Sequence, residues 1–269
     1  MLSIASNIST RELRVQRIFQ RLKAGYWNLG GEPSRMLKEL ATQCVDAGAD
    51  AIEINTQQHY DHPEAIEAAI KLVQQVTDRK LCLSTNNVET LKAGLKACKG
   101  FPIINYLSVD IARLRETLPL AANCGAEVVL LVSDPVAPSD AREMLQKAAI
   151  LIGAANEMGI PSDRILVDPG LIHITSDVGQ RHFAEVLEFL RALPDTFEPP
   201  VRSTCWIANT SAGAPRRLRP VIETTALSML AGLQLSSVFL NVLGRENRRT
   251  LHLLKAFNNE TIYAESDIG

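Results

Sequence analysis

Polar side chains gather just behind short apolar runs in this 269-residue chain, and asparagine dominates among them. In order they are Asn7, Glu53 with Asn55, Ser84 with Asn86 and Asn87, Asn105 with Tyr106, Ser133 with Asp134, Asp168, Asn209 and Asn241. A side-chain amide offers both donors and an acceptor. Acids are few in this set and it contains no histidine base, a balance suited to recognising a flat heterocycle rather than to hydrolysis.

The elements that must position these residues alternate along the whole chain. Candidate strands are Leu2–Ala5, Ala51–Asn55, Leu81–Ser84, Ile103–Tyr106, Val128–Val132, Ile165–Val167, Ser203–Ile207 and Val238–Leu240. Between them, apolar residues return at i, i+3, i+4 and i+7, which predicts helices over Ser34–Ala47, Pro63–Val76, Val88–Ala97, Ala112–Asn123, Ser139–Met158, Val178–Ala192, Val221–Ala231 and Arg245–Phe257. Gly48, Gly125 and Gly159 stand just past three of these helices, where a left-handed C-cap favours glycine. Strict alternation implies parallel strands covered by helices, and eight such units close a (β/α)8 TIM barrel. A doubly wound open sheet is the alternative, but the strand-to-helix turns carry no G-x-G-x-x-G or Walker sequence. No low-complexity linker divides the chain, so residues 1–269 are expected to form a single barrel domain. Its active site belongs at the carboxyl ends of the strands, where the polar set lies.

Composition narrows the function classes. The chain is 46% hydrophobic and 22% charged, an ordinary globular balance that excludes disorder as the main state. With 28 Lys and Arg against 30 Asp and Glu there is no broad basic field, so nucleic acid is not expected as a principal partner. No uncharged apolar run reaches the roughly 18 residues of a spanning helix, and the N-terminal MLSIASNISTRELRVQR has too little apolar length for a signal peptide. Cys44, Cys82, Cys98, Cys124 and Cys205 are odd in number and form no C-x-x-C pair, which points to buried reduced thiols in a cytoplasmic protein rather than to disulfides or zinc. His59, Asp61 and His62 could ligate a metal, but a solvated entry to the helix at Pro63 is the better reading, and no metal site is expected. His173 follows Asp168 and so lies near the mouth. Arg216, Arg217 and Arg219 form either a solvated face or an attractor for a polyglutamyl tail or an acidic partner.

Taken together, several stretches resemble the methyltetrahydrofolate:corrinoid protein methyltransferases, whose pterin-binding barrel is shared with dihydropteroate synthase and cobalamin-dependent methionine synthase. They are Ala49–Asn55, Leu81–Asn87 running into Leu91–Cys98, Ile104-Asn105, Leu166–Pro169, Val178–Leu190, Trp206–Ser211 and the terminal Thr261–Ser266. The resemblance covers nearly the full chain and is carried by the order and spacing of motifs, none of which is specific alone. It implies that Asp168 accepts from the pterin N3–H and exocyclic amino group in a two-point charge-assisted pair. It implies that Asn105 binds another part of the ring, and that Asn209 stands near N5, where its hydrogen bond strengthens as the methyl group leaves. Asn7, Ser84, Asn86 and Asn241 complete the expected substrate-binding set.

The chain departs from the family pattern at named places. Ser84 stands where the family has a second pterin-contacting aspartate, and loss of such a charge-assisted bond costs roughly 1.5–3 kcal/mol, on the order of ten- to a hundredfold in affinity. An amide from Asn86 or Asn87 is the nearest candidate to compensate. Tyr106 is bulkier than the family's small polar residue and is expected to fill or restack part of the pocket. Ala5–Ser9 lacks the family's Gly-Glu-Arg-like character, and Lys23–Pro33 reads as an inserted surface loop or extra turn. The expectation is a methyltransferase moving a methyl group between N5 of methyltetrahydrofolate, or a related reduced pterin, and the cobalt of a corrinoid carried by a partner protein. Tetrahydrofolate would be the product or acceptor, and a homodimer is implied by resemblance. Two alternatives stay open: the same fold and corrinoid partner with a different methyl carrier, and a non-catalytic pterin- or ligand-binding barrel.

Overall fold

The computed structural model describes residues 1–133 and 137–265, without the side chains of Tyr106 and Ile111. Asp134, Ser266 and the expected effect of the Tyr106 ring therefore lie outside the described residues. Eight parallel strands pair in sequence order and β1 returns to β8, closing a barrel. The strands are β1 Leu2–Ser9, β2 Ala51–Asn55, β3 Lys80–Ser84, β4 Ile103–Leu107, β5 Glu127–Leu131, β6 Ile165–Asp168, β7 Arg202–Trp206 and β8 Ser237–Leu240. Around them run α1 Leu13–Ala24, α2 Gly31–Asp46, α3 Pro63–Val73, α4 Val88–Ala97, α5 Ile111–Cys124, α6 Ala141–Glu157, α7 Asp177–Thr196, α8 Arg219–Ala231 and α9 Arg245–Phe257. The (β/α)8 architecture expected from the alternation is the one the chain adopts.

Helix starts follow local chemistry where a capping side chain is present. Asn87 accepts from the Glu89 and Thr90 amides at α4, Asp110 from Ala112 and Arg113 at α5, Asp140 from Glu143 at α6, and Ser176 from Gly179 at α7. The glycines expected behind α2, α5 and α6 are left-handed, with φ of 88° at Gly48, 68° at Gly125 and 84° at Gly159. One helix is absent from the reading of the sequence. α1 buries Val15, Ile18, Phe19 and Leu22 at helical spacing, so Lys23–Pro33 is the end of a helix, a short connection and the start of the next helix rather than an inserted loop. Its start lacks the usual signal, because Glu12 at the N-cap makes no side-chain capping bond. The connection is anchored by Trp27, whose ring centroid lies 6.3 Å from that of Phe19 and 5.2 Å from that of His62.

Two-residue periodicity sorts the barrel interior into layers. At the amino ends, Glu127 bridges Lys80 and Arg202. Above this triad an apolar plug fills the centre with Ile4, Ala51, Cys82, Ile103, Val129, Leu166 and Phe239, topped by Trp206. Two residues further along their strands, the same inward face presents Glu53, Ser84, Asn105 and Asp168. The register slips between Ala5 and Ile8 in β1 and between Ile104 and Leu107 in β4, each time with three steps against two on the neighbouring strand. Such irregularities re-aim side chains beside a site. Phe19 is fully buried and also meets Tyr60 at 5.5 Å. Phe19→Ala is expected to lower the unfolding free energy by about 3–5 kcal/mol in a urea titration, as large aromatic truncations in closed cores do.

Candidate functional site

The polar layer is a buried network centred on an acid. Glu53 Oε1 accepts from the Ser84 hydroxyl at 2.5 Å and from the Asn55 amide at 3.1 Å, and the Asn105 amide donates to Ser84 Oγ at 3.1 Å. Glu53, Asn55 and Ser84 are fully buried and Asn105 nearly so. Glu53 Oε2 is buried with no hydrogen-bond partner among the described residues. Burial pushes the Glu53 carboxyl up to about 7, against the opposing pull of Ser84, Asn55, the more distant Arg11 and Asn105. Desolvation wins because these donors satisfy only one of its two oxygens.

Asp168 closes β6 on the same inward face. Its Oδ1 accepts from the Gly170 amide at 2.7 Å, and burial pushes its carboxyl up to about 7 despite that bond. The turn behind it is tightly enclosed. Gly170 has φ 75°, a Cβ there would sit 1.7 Å from Ser133 Oγ, and its carbonyl pairs with His182 Nε2 at 2.6 Å. Only glycine fits, so the carboxyl is held by a rigid Asp-Pro-Gly turn.

Asn209 projects from a 3-10 turn over Ile207–Ser211 that continues β7. The turn does not use the asparagine amide to hold itself together. Thr210 Oγ donates to the Ile207 carbonyl, Ser211 Oγ donates to Glu223 at 2.6 Å and lies 3.2 Å from the Ala208 carbonyl, and the half-buried Asn209 amide makes no hydrogen bond among the described residues. Glu223, on α8, also accepts from Asn247 at 3.4 Å, which in turn donates to the Asn241 carbonyl. Glu223 carries no signal in the sequence, since it lies within a helix rather than behind an apolar run.

Other expected residues meet each other rather than an open pocket. Asn7 Nδ2 donates to Asn241 Oδ1 at 2.5 Å, Asn7 Oδ1 accepts from the Val242 amide and Asn241 Oδ1 from the Leu243 amide. These two asparagines clasp the first and last strand ends. Asn86 does not reach the place that Ser84 leaves short of a carboxylate: it is exposed at the rim, with its Oδ1 accepting from Gln57 and Arg113 and its backbone amide donating to Asp61. Asn87 is the cap of α4. The carboxyl that Ser84 meets is Glu53 on the neighbouring strand, and two buried acids, Glu53 and Asp168, share the inward polar layer. The signal was present in the sequence, since Ala51-Ile-Glu-Ile-Asn55 puts Glu53 on the face of Ala51 in a strand buried on both sides.

An aromatic platform adds to the set. Trp206 tops the plug at 7% exposure with its ring 5.6 Å from Phe239, and the Arg11 guanidinium lies 5.2 Å from its centroid. Arg11 donates to Gln57, which donates to Asn86, so a polar strap runs along one side of the mouth. His59 is left-handed at φ 70°, Asp61 binds Thr85 and Asn86, and His62 pairs with Glu64. Among the described residues no three His, Cys, Asp or Glu side chains are placed to hold a metal ion. His173 is exposed and pairs with Thr175, and Arg219 donates to the Ala214 carbonyl.

Both raised carboxyls make the ligand-free fold pH-sensitive. Their folded values of about 7 exceed the ordinary 4.5 of Glu53 and 3.8 of Asp168. Their contribution is complete at pH values below the ordinary ones and is lost as pH rises through about 7, because only folding penalises the ionised forms. Unfolding free energy measured with urea is expected to fall between about pH 5 and about pH 8, with a shallower fall in Asp168→Asn. A flat wild-type profile would contradict the assignment.

Comparison with known proteins bears on the chemistry. The family model described as pterin binding enzyme matches residues 32–219. A methylcorrinoid:tetrahydrofolate methyltransferase of Eubacterium limosum is 23% identical over 203 residues, 73% of each chain. A Yersinia pestis dihydropteroate synthase with a pterine–sulfa conjugate superposes with a TM-score of 0.69 at 16% identity, covering 97% of this chain and 94% of that one. The 7,8-dihydropteroate synthase of Vibrio fischeri does so with 0.68 at 13% identity and the same coverage. At these identities the solved structures speak for the fold.

Proposed function

Because this chain belongs to the family of pterin-binding enzymes, we propose that it is a methyltransferase that moves a methyl group between N5 of methyltetrahydrofolate, or a related reduced pterin, and the cobalt of a corrinoid protein. The observation that carries the reading is Asp168, a buried carboxyl locked by Gly170 through one oxygen, with no partner on the other among the described residues. A ring edge with two parallel donors suits such a group: binding supplies the hydrogen bonds that its ionised form lacks and draws it below its ligand-free value. Asn105 and Ser84 line the same inner layer for a second edge of the ring. The Asn209 amide, not engaged in its own turn, is placed for N5. Asn7, Asn241 and Asn86 act by holding the rim in shape.

In this reading the enzyme binds and orients, and the corrinoid of the partner supplies nucleophilicity, so no covalent bond to the protein is needed. Asn209 contributes by a hydrogen bond that strengthens as charge changes at N5, an effect on rate rather than on affinity. The E. limosum relative, whose name pairs methylcorrinoid with tetrahydrofolate, supports both co-substrates. A second reading is favoured by Trp206, a bulky indole ring on the apolar plug at the carboxyl end of β7: the same fold and corrinoid partner, with a methyl carrier of different outline.

Equilibrium titration with methyltetrahydrofolate tests the first reading. Asp168→Ala is expected to weaken binding on the order of ten- to a hundredfold. Asn209→Ala should slow methyl transfer to Co(I) corrinoid roughly a hundredfold with little change in affinity. No saturable binding at millimolar ligand would sink the folate assignment and leave the second carrier to be found.

The proposal extends to assembly. Leu218, Val221 and Met229 are 44%, 63% and 46% exposed on and beside α8, an apolar face suited to a second copy. Val221→Glu is expected to shift a dimer to monomer in sedimentation equilibrium, whereas a wild-type monomer would refute the pairing. Among the described residues no helix is long and apolar enough to cross a membrane. We take residues 1–269 as one catalytic domain working in the cytoplasm.

A further inference from the structure

Resting on the pterin reading, the geometry points to Glu53 as a hydrogen-bond donor in the site: a neutral carboxylic acid that holds its proton on Oε2 and offers it to an acceptor atom on the edge of the bound ring. The heavy-atom contacts around the carboxyl favour one oxygen as the carrier of the proton. The Asn105 amide donates to Ser84, and the one proton of Ser84 is directed at Glu53 Oε1, which also receives the Asn55 amide. An oxygen that accepts two donors has no place for a proton of its own. Oε2 is buried and has no partner among the described residues, so it is the oxygen left free to carry the proton toward an acceptor brought by the ligand.

The groups around Glu53 agree with a neutral acid. Ser84, Asn55 and Asn105, from three adjacent strands, carry no charge. Cys82, one layer below on β3, is kept a neutral thiol by burial. Arg11 is the cation whose field reaches the carboxyl, but it is exposed and spread over Trp206. Desolvation therefore governs the acid, and its raised value of about 7 is in keeping with a proton retained through the weakly acidic range. Asp168 is pushed up in the same way, but its turn supplies a donor to one oxygen and leaves the other for ligand donors. Two acids in one site thus divide the work, with Asp168 as acceptor and Glu53 as donor. An aspartate in place of Ser84 would bury a second carboxyl against Glu53 and remove the hydroxyl that donates to its Oε1.

The test compares wild type, Glu53→Gln and Glu53→Ala in titrations with tetrahydrofolate from about pH 6 to about pH 8.5, beside infrared difference spectra of the ligand-free proteins. Glutamine keeps an acceptor for Ser84 and Asn55 and puts an N–H donor in the place of Oε2. Glu53→Gln is expected to bind within about threefold of wild type at the acidic end and, since Asp168 ionisation favours binding in both proteins, to gain affinity on wild type as pH rises through about 7, while Glu53→Ala binds about tenfold or more weakly. The wild-type-minus-Gln spectrum should show the carbonyl stretch of a protonated carboxyl that fades as pH rises through about 7. Tenfold weaker binding by the Gln variant at the acidic end, unchanged binding by the Ala variant, or absence of that band would each overturn the assignment. If wild type binds no tetrahydrofolate, the pterin reading fails and the donor role toward a pterin with it. The band, read without ligand, then tells whether the acid was neutral and only its ligand misassigned.

Discussion

A carboxyl group buried at the mouth of a closed barrel is the constraint to which the rest of the upper layer answers. Glu53 sits above an apolar plug and cannot be hydrated from below, so its polar partners come from its own strand and from the next strand in register. Asn55 pairs with Ser84 across β2 and β3, and Ser84 pairs with Asn105 across β3 and β4, which brings Ser84 and Asn55 to one Glu53 oxygen and Asn105 onto Ser84. The low dielectric that makes this arrangement costly also strengthens whatever completes it. A second buried carboxyl, Asp168, answers to the same condition through a backbone donor instead of side chains.

The rim is built differently, from bonds that keep loops in place. Asn7 and Asn241 join the two ends of the barrel where β1 meets β8. Glu223 and Asn247 connect the turn of Asn209 to the end of β8, so the residue proposed for N5 is held by neighbours while its own amide makes no bond in the turn. On the opposite side Asp61, Gln57, Asn86 and Arg113 tie the loops after β2, β3 and β4. A site of this kind needs rigid first contacts and a supporting shell, and here asparagine serves in both.

Much of the fold was legible along the chain. Eight apolar runs and the helical periodicity between them mark the strands and eight of the helices, because burial by a barrel imposes periods of two and 3.6 that survive in the sequence. The α1 helix escaped because its start carries no capping side chain, although Val15, Ile18, Phe19 and Leu22 keep the period. The polar set at the strand ends was also legible as a set. Which of its members face one another was not: Asn7, Asn86 and Glu53 look alike as polar residues behind apolar runs, yet one clasps a strand end, one braces the rim and one lies at the centre.

The sequence by itself determined the order of elements, the parallel barrel architecture and the position of Asp168 and Asn105 at the carboxyl ends of strands, since these follow from local periodicity. Tertiary structure decided that Ser84 is supported by Glu53 rather than by Asn86, that Trp206 roofs the plug, and that Glu223 holds the turn of Asn209. The physical reason is that such pairings depend on register between strands and on the reach of one side chain across a 3 Å gap. Neither is encoded at any fixed spacing along the chain.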